Sequence, residues 1–186
     1  MAMVFMTDES LVKALKSGEA LAFETLIDKY GDKLLRLCYL IIKDLSEAED
    51  VVQEVFFQSY KSVKGFKENS SIYTWLYKIA LNKCRTRLKK EKEYSPFDES
   101  VEIENDDDIE NEALWNMERK RIKDIVFSLP AVYREIIVLY YYEEFSLKEI
   151  CSILDENENT VKSKLHRGRN KIKQKLVEEG LAYEGR

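Results

Sequence analysis

The sequence is poor in the residues that break helices. It has only six glycines and two prolines, Pro96 and Pro130, in 186 residues. Long stretches therefore carry no helix breaker, which favours helices over a turn-rich β architecture. Apolar residues make up 45% of the chain and aromatic residues 11%, which is enough to build packed cores. The sequence thus predicts an all-α fold.

Cysteines are also few. The three of them, Cys38, Cys84 and Cys151, are odd in number, far apart and each within a helical pattern, so they indicate neither a disulfide framework nor a zinc site. The start, MAMVFMTDES, lacks the basic flank and long apolar run of a secretory signal. No apolar run approaches the ~20 residues of a membrane span. We therefore expect a soluble, reduced, cytoplasmic protein with no metal, no cofactor and no small-molecule substrate.

Apolar residues recur at three- and four-residue intervals through the N-terminal half of the chain, the spacing of amphipathic helices. Thr7 is placed to cap a first helix that ends at Gly18. The segment 19–42 predicts one long helix, or two helices broken near Gly31. Ser46 and Glu49 have the spacing of a capping box, which predicts the start of the next helix.

The middle of the chain is strongly acidic. From Asp98 to Glu112 it carries nine carboxylates and no lysine or arginine. Such a like-charge block repels itself and is typical of a flexible tether, and about 15 extended residues reach about 50 Å at ~3.3 Å each. We predict two small helical domains, residues 7–95 and 113–180, joined by a flexible acidic linker at residues 96–112.

Positive charge is concentrated near the end of the chain, although the formal net charge is -5. The segment TVKSKLHRGRNKIKQK, residues 160–175, holds seven lysines and arginines and no carboxylate. Before it come a helix opened by a Ser146 and Glu149 capping box and the turn DENEN, where Asn157 can take the left-handed conformation. Helix, turn and basic helix form the helix-turn-helix that enters the DNA major groove. The alternative is a lysine-rich helix that is only a solvated face.

The first turns of a recognition helix face base edges. Lys162, Ser163 and His166 are therefore candidates for base reading, and Arg167, Arg169 and Lys171 are better placed for phosphates. The acidic net charge argues against strong duplex binding by the chain alone, because phosphate neutralisation drives such affinity. We expect the basic helix to depend on help from a partner.

Cations and aromatic side chains alternate between residues 64 and 85. The set is Lys64, Phe66, Lys67, Tyr73, Trp75, Tyr77, Lys78, Lys83 and Arg85. Cations along a backbone track together with stacking aromatics suit single-stranded DNA. Structural roles stay open for two of them, because Trp75 shares a stripe with Ile79 and Phe66 fits a loop anchor equally well.

Four stretches together resemble the extracytoplasmic-function type of bacterial RNA polymerase sigma factors. DLSEAEDVVQEVF (44–56) resembles the helix that docks on the polymerase clamp, and GFKENSSIYTWLYKIALNKCR (65–85) resembles the promoter-melting segment. LPAVYREIIVLYYYEEFSLKEI (129–150) and TVKSKLHRGRNKIKQKL (160–176) resemble the C-terminal helix-turn-helix domain. The likeness covers nearly the whole chain in the family's order.

The resemblance assigns residues to three contacts. It implies that the polymerase clamp is faced by Asp50, Gln53, Glu54 and Phe57. It implies that the melted minus-ten element is bound by Lys64, Phe66, Lys67, Tyr73, Lys78, Asn82 and Arg85, with Asn82 where a flipped-out base is read. It implies that the duplex minus-thirty-five element is bound by Thr160, Lys162, Ser163, Lys164, His166, Arg167 and Arg169.

Some residues leave room for other interpretations. Without the resemblance, the acids of residues 50–54 fit an ordinary amphipathic helix with a solvated face. Lys164 stands where arginine is common and lacks the bidentate fork that arginine offers a guanine. Gly168 stands where alanine is common; it should be harmless to packing, although it weakens the helix by ~1 kcal/mol.

The sequence as a whole predicts a promoter-specificity subunit without catalytic activity of its own. The expected partners are core RNA polymerase, promoter DNA as duplex and as melted strand, and a membrane-bound anti-sigma factor that holds a stress-responsive protein at the inner face of the membrane. The alternatives are a regulator that binds promoters tightly without polymerase, a sigma-like adaptor that never opens DNA, and an enzyme. The sequence has no Gly-rich phosphate loop, metal cluster or histidine-based nucleophile, which disfavours an enzyme.

Overall fold

The computed structural model describes residues 6–94 and 113–178, and all regular elements within them are helical. The predicted all-α fold is therefore confirmed. The predicted linker, residues 96–112, lies outside the described residues. Across the described helices, none is both long enough and apolar enough to cross a membrane.

Four helices form the N-terminal half. They are α1 (Asp8–Ser17), α2 (Ala20–Ile42), α3 (Leu45–Ser62) and α4 (Ile72–Tyr94), with a 3₁₀ turn at Val63–Gly65. The second helix runs through Gly31 without a break, which settles the alternative that the sequence left open. Helices α1, α3 and α4 all pack against α2, so the long helix is the centre of this half.

The C-terminal half has a more irregular path. Its helices are α5 (Ala113–Ser128), α6 (Ala131–Ile137), α7 (Leu147–Leu154) and α8 (Glu158–Glu178). Helix α6 continues without interruption into a π-helical turn at Val138–Tyr142. Helix α8 packs along α6 and α7, so the helix-turn-helix is formed by α7 and α8 on the support of α6.

Local capping chemistry sets most helix starts. The Thr7 side chain accepts a hydrogen bond from the Ser10 N–H, and Ser146 and Glu149 form a complete capping box, both as predicted. The predicted box at Ser46 is wrong, because Asp44 caps α3 instead and accepts a hydrogen bond from the Glu47 N–H at 2.8 Å. A carboxylate is as good an N-cap as a serine hydroxyl, and Asp44 comes first along the chain.

The turn between α7 and α8 also differs from the sequence prediction. Asp155, with φ of 60°, takes the left-handed conformation that was expected at Asn157. Asn157 caps α8, its Oδ1 accepting a hydrogen bond from the Thr160 N–H at 2.9 Å. The position directly after a helix is where the left-handed residue usually falls, and asparagine is a strong N-cap, so each residue has an ordinary role.

The two halves pack directly on each other. Helix α2 contacts α5 and α6, and α4 contacts α7. The rings of Tyr39 in α2 and Phe127 in α5 meet edge to face with centroids 5.6 Å apart. Buried apolar residues of both halves form one continuous cluster. The interface between the halves is therefore part of the core.

Gly168 has a packing role that the sequence did not reveal. It is buried where α8 crosses α6, and a Cβ added there would lie 3.0 Å from Cγ1 of Ile137. Such a distance is shorter than an ordinary van der Waals contact, so glycine allows the two helices their close approach. At Gly31 an added Cβ would meet nothing within 4 Å.

These two glycines give a matched test of the α6–α8 contact. Gly31→Ala should raise the free energy of unfolding by about 1 kcal/mol, because alanine is preferred to glycine by about that amount inside helices. Gly168→Ala has the same helical preference, but Ile137 must move to admit the new methyl group. The free energy of unfolding should therefore rise clearly less than in Gly31→Ala, or fall. Urea denaturation measures both, and equal gains would contradict the tight contact.

Candidate nucleic-acid interface

Helix α8 presents a polar face to solvent and an apolar face to α6 and α7. Val161, Leu165 and Gly168 are buried, whereas Lys162 and Ser163 are exposed. His166 and Arg167 are exposed on the same outward surface, as the helical period predicted. The cap at Asn157 fixes where the helix starts and also holds the Thr160 hydroxyl, which lies 3.0 Å from Asn157 Oδ1. The predicted minus-thirty-five residues are thus collected on the first turns of one rigid helix.

Several cations of α8 are already engaged within the chain. Lys162 pairs with Glu158 at 2.7 Å, and Lys164 pairs with Glu156 in the turn. Arg169 lies against the rings of Tyr140 and Tyr141, with its guanidinium carbon 5.4 and 5.6 Å from the two centroids. Its Nε also donates to the Tyr141 hydroxyl at 2.7 Å. Arg169, which was predicted to contact a phosphate, is thus already stacked and hydrogen-bonded within the chain.

Arg167 differs from these neighbours. It is exposed and has no ion-pair partner within the described residues. The Lys162–Glu158 pair is exposed as well, and exposed pairs of this spacing contribute little to stability. A DNA phosphate can therefore replace Glu158 at little cost, and Arg167 is available without any such exchange.

The predicted minus-ten residues divide into two groups. Lys64, Lys67 and Asn82 are exposed around the loop before α4 and on α4 itself. Phe66 is only 8% exposed and packs against Trp75 with ring centroids 5.0 Å apart. In this arrangement Phe66 anchors the loop, which is the structural role that its sequence left open.

The other group faces the C-terminal half. Arg85 donates two hydrogen bonds to the Glu135 carboxylate, at 3.0 and 2.6 Å. The Lys78 Nζ lies 3.6 Å from Asp155 Oδ1. The Tyr73 hydroxyl donates to Glu143 at 3.1 Å. Each of these three candidate residues is therefore hydrogen-bonded to, or paired with, a carboxylate of the other half.

Glu143 is the most enclosed of these carboxylates, with its side chain fully buried. Arg36 of α2 donates to it through Nε at 2.9 Å and through Nη2 at 3.1 Å, and the Tyr77 hydroxyl also donates. Burial, together with hydrogen bonding to Glu143, raises the pKa of Tyr77 far above its ordinary value. Burial is also the main reason that the pKa of Tyr73 rises to about 12. Both phenols therefore stay protonated and donate to Glu143.

Sequence reasoning did not find Arg36, Glu135 or Glu143. Arg36 and Glu143 are 107 positions apart, so no helical period or motif spacing connects them. The available signal was the three consecutive tyrosines followed by Glu143, since a carboxylate next to aromatics within a helical pattern is unusual in a core.

The predicted polymerase-facing residues lie on α3. Asp50 and Gln53 are exposed, and Phe57 is 61% exposed with the Lys61 ammonium 3.9 Å from its ring centroid. Glu54 faces α4, where it pairs with Lys83 at 2.7 Å and Arg87 at 2.9 Å. Hydrogen bonds from these two cations hold the pKa of Glu54 below its ordinary value.

An aromatic surface extends from Phe57 along α3. Tyr60, which the sequence analysis passed over, is also 61% exposed and meets the ring of Phe23 edge to face at 4.7 Å. Polar groups around exposed aromatic side chains are typical of protein interfaces.

Two family models match the chain. The one described as Sigma-70 region 2 matches residues 26–94, which hold most of α2 and all of α3 and α4. The one described as Sigma-70, region 4 matches residues 119–172, from α5 into α8. The two matched regions thus correspond to the two packed halves.

Curated relatives match over almost their full length. The ECF RNA polymerase sigma factor SigW of Bacillus subtilis is 35% identical over 176 residues, covering 89% of this chain and 94% of the relative. The ECF RNA polymerase sigma-E factor of Escherichia coli K12 is 30% identical over 182 residues, covering 92% of this chain and 95% of the relative. The chain belongs to the extracytoplasmic-function (ECF) family of RNA polymerase sigma factors, the promoter-specificity subunits that direct transcription initiation.

Solved structures share the fold. CnrH, solved with the cytosolic domain of CnrY, superimposes with a TM-score of 0.70 at 23% identity, over 91% of this chain and 97% of that one. The sigma factor RpoE of Bartonella quintana, solved with the anti-sigma factor NepR, gives 0.67 at 23% identity, over 83% and 96%. The curated relatives thus confirm the family inferred from the sequence, and these structures confirm its fold.

The position of Phe66 generates a prediction that separates anchoring from base stacking. Phe66→Ala should lower the free energy of unfolding by about 3 kcal/mol, because it removes a buried ring from its contact with Trp75. The neighbouring Lys67→Ala, which changes an exposed side chain, should alter stability by no more than about 0.5 kcal/mol. Denaturant unfolding of both variants is the measurement. If Phe66→Ala were as stable as Lys67→Ala, the ring would be free to serve as a stacking surface.

Proposed function

We propose that the two halves divide promoter recognition between them. Residues 7–95 bind core RNA polymerase and capture the melted minus-ten element, and residues 113–180 read the minus-thirty-five element as duplex. The observation that carries the proposal is α8, a capped basic helix in a helix-turn-helix whose outward face holds Lys162, Ser163, His166 and Arg167. A second helix so placed fits the major groove of duplex DNA.

The charge of the chain supports a division of labour with polymerase. Non-specific affinity for DNA comes from neutralising phosphates, and this chain has a net charge of -5. Two cations of α8, Lys162 and Lys164, are paired with the chain's own acids. Core polymerase therefore supplies most of the affinity for DNA, and α8 chooses the site.

Helix α3 is the proposed docking element for polymerase. Asp50, Gln53 and Phe57 offer polar groups around an exposed ring on its outer surface. Glu54, held by Lys83 and Arg87, supports that surface by tying α3 to α4. The chain needs no catalytic group of its own in this role, because polymerase carries out the chemistry.

Control by an anti-sigma factor is part of the proposal. What supports it is the family, together with the fold shared with RpoE, which was solved bound to the anti-sigma factor NepR. In this proposal a membrane-bound anti-sigma factor holds the chain at the inner face of the membrane and releases it under stress.

Run-off transcription with purified core polymerase over a promoter library tests the proposed function. Discrete start sites should appear only when the chain is present, and permanganate should detect unpaired thymines around them. Association with polymerase without opening would leave only an adaptor, and opening without run-off would contradict the proposed role in initiation. Tight promoter binding in the absence of core polymerase would favour a conventional regulator instead.

Arg167 is the sharpest test of the α8 assignment. Arg167→Ala should weaken binding of the polymerase complex to promoter duplex, and the slope of log affinity against log salt should fall by about 0.9 for one lost phosphate contact. Lys13→Ala is the matched control, because Lys13 is an exposed cation of α1 in the other half. A titration series over salt concentration measures both slopes. An unchanged slope for Arg167→Ala would remove this residue from the phosphate contacts.

Asn82 tests the minus-ten assignment. Asn82→Ala should reduce the permanganate reactivity of minus-ten thymines about fivefold, which corresponds to about 1 kcal/mol for one lost hydrogen bond. Binding to core polymerase, measured on the same preparation, should stay unchanged because Asn82 is an exposed side chain of α4. Equal losses of opening and polymerase binding would indicate damaged folding.

A further inference from the structure

We propose that the segment after α6 is an internal latch, in which carboxylates of the C-terminal half occupy the DNA-binding surface of α4 and hold the free chain closed. This inference rests on the proposed minus-ten role of α4. In the closed chain Glu143, Glu135 and Asp155 engage Tyr73, Arg85 and Lys78, three of the residues proposed to hold the captured strand. Melted DNA and the latch therefore compete for these three residues.

The contacts of Glu143 are those of a built binding site. Arg36 donates to both oxygens of the carboxylate, at 2.9 and 3.1 Å, and Tyr73 and Tyr77 add two further donors. A buried carboxylate is costly unless it is paired and hydrogen-bonded, and charge-assisted bonds of this kind are the strong ones. All four donors come from α2 and α4, so Glu143 is stable in a buried position only while the halves are together.

The backbone is shaped to present this carboxylate. The π-helical turn Val138–Tyr142 ends with the Glu143 N–H donating to the Val138 carbonyl at 3.1 Å. Glu144 then takes a left-handed conformation, with φ of 56°, although it is not a glycine. π-helical turns recur at functional sites, and non-glycine residues in left-handed conformations cluster at switch regions.

Phe145 enters the same interface directly after this turn. Its ring stacks on Tyr73 with centroids 4.8 Å apart and meets Tyr77 edge to face at 4.9 Å. The aromatic contact excludes water from the Glu143 carboxylate, which strengthens its hydrogen bonds. Glu143 and Phe145 therefore both contact α4 through Tyr73 and Tyr77.

Two further carboxylates extend the latch along α4. Glu135 of α6 forms a bidentate pair with Arg85, and Asp155 in the helix-turn-helix pairs with Lys78. Together with Tyr73, which donates a hydrogen bond to Glu143, three candidate minus-ten residues are engaged by three separate elements of the other half. Within the described residues, the side-chain partners of Glu143, Glu135 and Asp155 all lie across the interface. Carboxylates that served only the fold of the C-terminal half would pair within it.

The latch occupies part of one DNA-binding surface and leaves the other open. The outward residues of α8 remain exposed in the closed chain, and so does Asn82 of α4, whereas Tyr73, Lys78 and Arg85 of α4 are engaged by carboxylates of the other half. The apparent affinity for melted DNA is therefore the intrinsic affinity reduced by the fraction of chains that are open. Any partner that separates the halves, core polymerase first among them, removes this penalty.

The test compares two adjacent glutamates in the full-length chain. Glu143→Gln removes the charge. It also places an amide nitrogen, which cannot accept a hydrogen bond, among four hydrogen-bond donors. Glu144→Gln is the matched control, because Glu144 is exposed and makes the same change of charge one position away. Small-angle scattering should show a larger radius of gyration for Glu143→Gln than for Glu144→Gln and wild type. Affinity for a single-stranded minus-ten oligonucleotide should rise about tenfold in Glu143→Gln alone.

Arg36→Gln breaks the same contact from the other half. Its side chain is 50% exposed, so the substitution leaves the core of α2 intact and guards against a folding defect in Glu143→Gln. Expansion of both variants supports the latch, and expansion without oligonucleotide binding in any variant would refute the minus-ten role while the latch stands. If both variants matched Glu144→Gln in scattering and oligonucleotide affinity, the latch would be overturned.

Discussion

One buried carboxylate, Glu143, is the most enclosed polar contact between the two halves of this chain. Its side chain is fully buried, and removing a charge from water is tolerated only because Arg36, Tyr73 and Tyr77 all donate to it. Those donors belong to α2 and α4. Glu143 therefore contacts α4 whenever the two halves associate. The compact arrangement thus has a functional consequence under the proposal, since it engages Tyr73, Lys78 and Arg85 of the surface proposed to hold an unpaired DNA strand.

The same use of internal acids appears on the basic helix. Glu158 and Glu156 pair with Lys162 and Lys164, so part of the positive charge of α8 is compensated within the chain. Together with a net charge of -5, this keeps the attraction to random duplex low. Under the proposed function this arrangement suits a promoter-specificity subunit, because DNA binding would then depend on core polymerase, which would bring both proposed DNA-binding surfaces to the promoter.

Local features of the fold were readable from the sequence, and long-range pairings were not. Helical period and capping chemistry predicted α8, its outward face and the Ser146 cap, since those signals lie within a few residues of each other. The left-handed residue was misplaced by two positions, because Asp155 and Asn157 can both adopt that conformation. The Arg36–Glu143 pair spans 107 positions and depends on how the halves dock, which no local pattern encodes. For the same reason, the exposed and engaged members of the minus-ten set were indistinguishable before the fold was known.

The distance between the two halves, measured with and without polymerase, tests the central claim most directly. Spin labels at Lys13→Cys in α1 and Lys148→Cys in α7, both exposed positions, report it by pulsed electron paramagnetic resonance in a Cys151→Ser background. Cys38 and Cys84 are buried and should stay unlabelled. We predict one narrow distance in the free chain and a longer one when core polymerase is bound. A broad distribution in the free chain, unchanged by polymerase, would contradict the account.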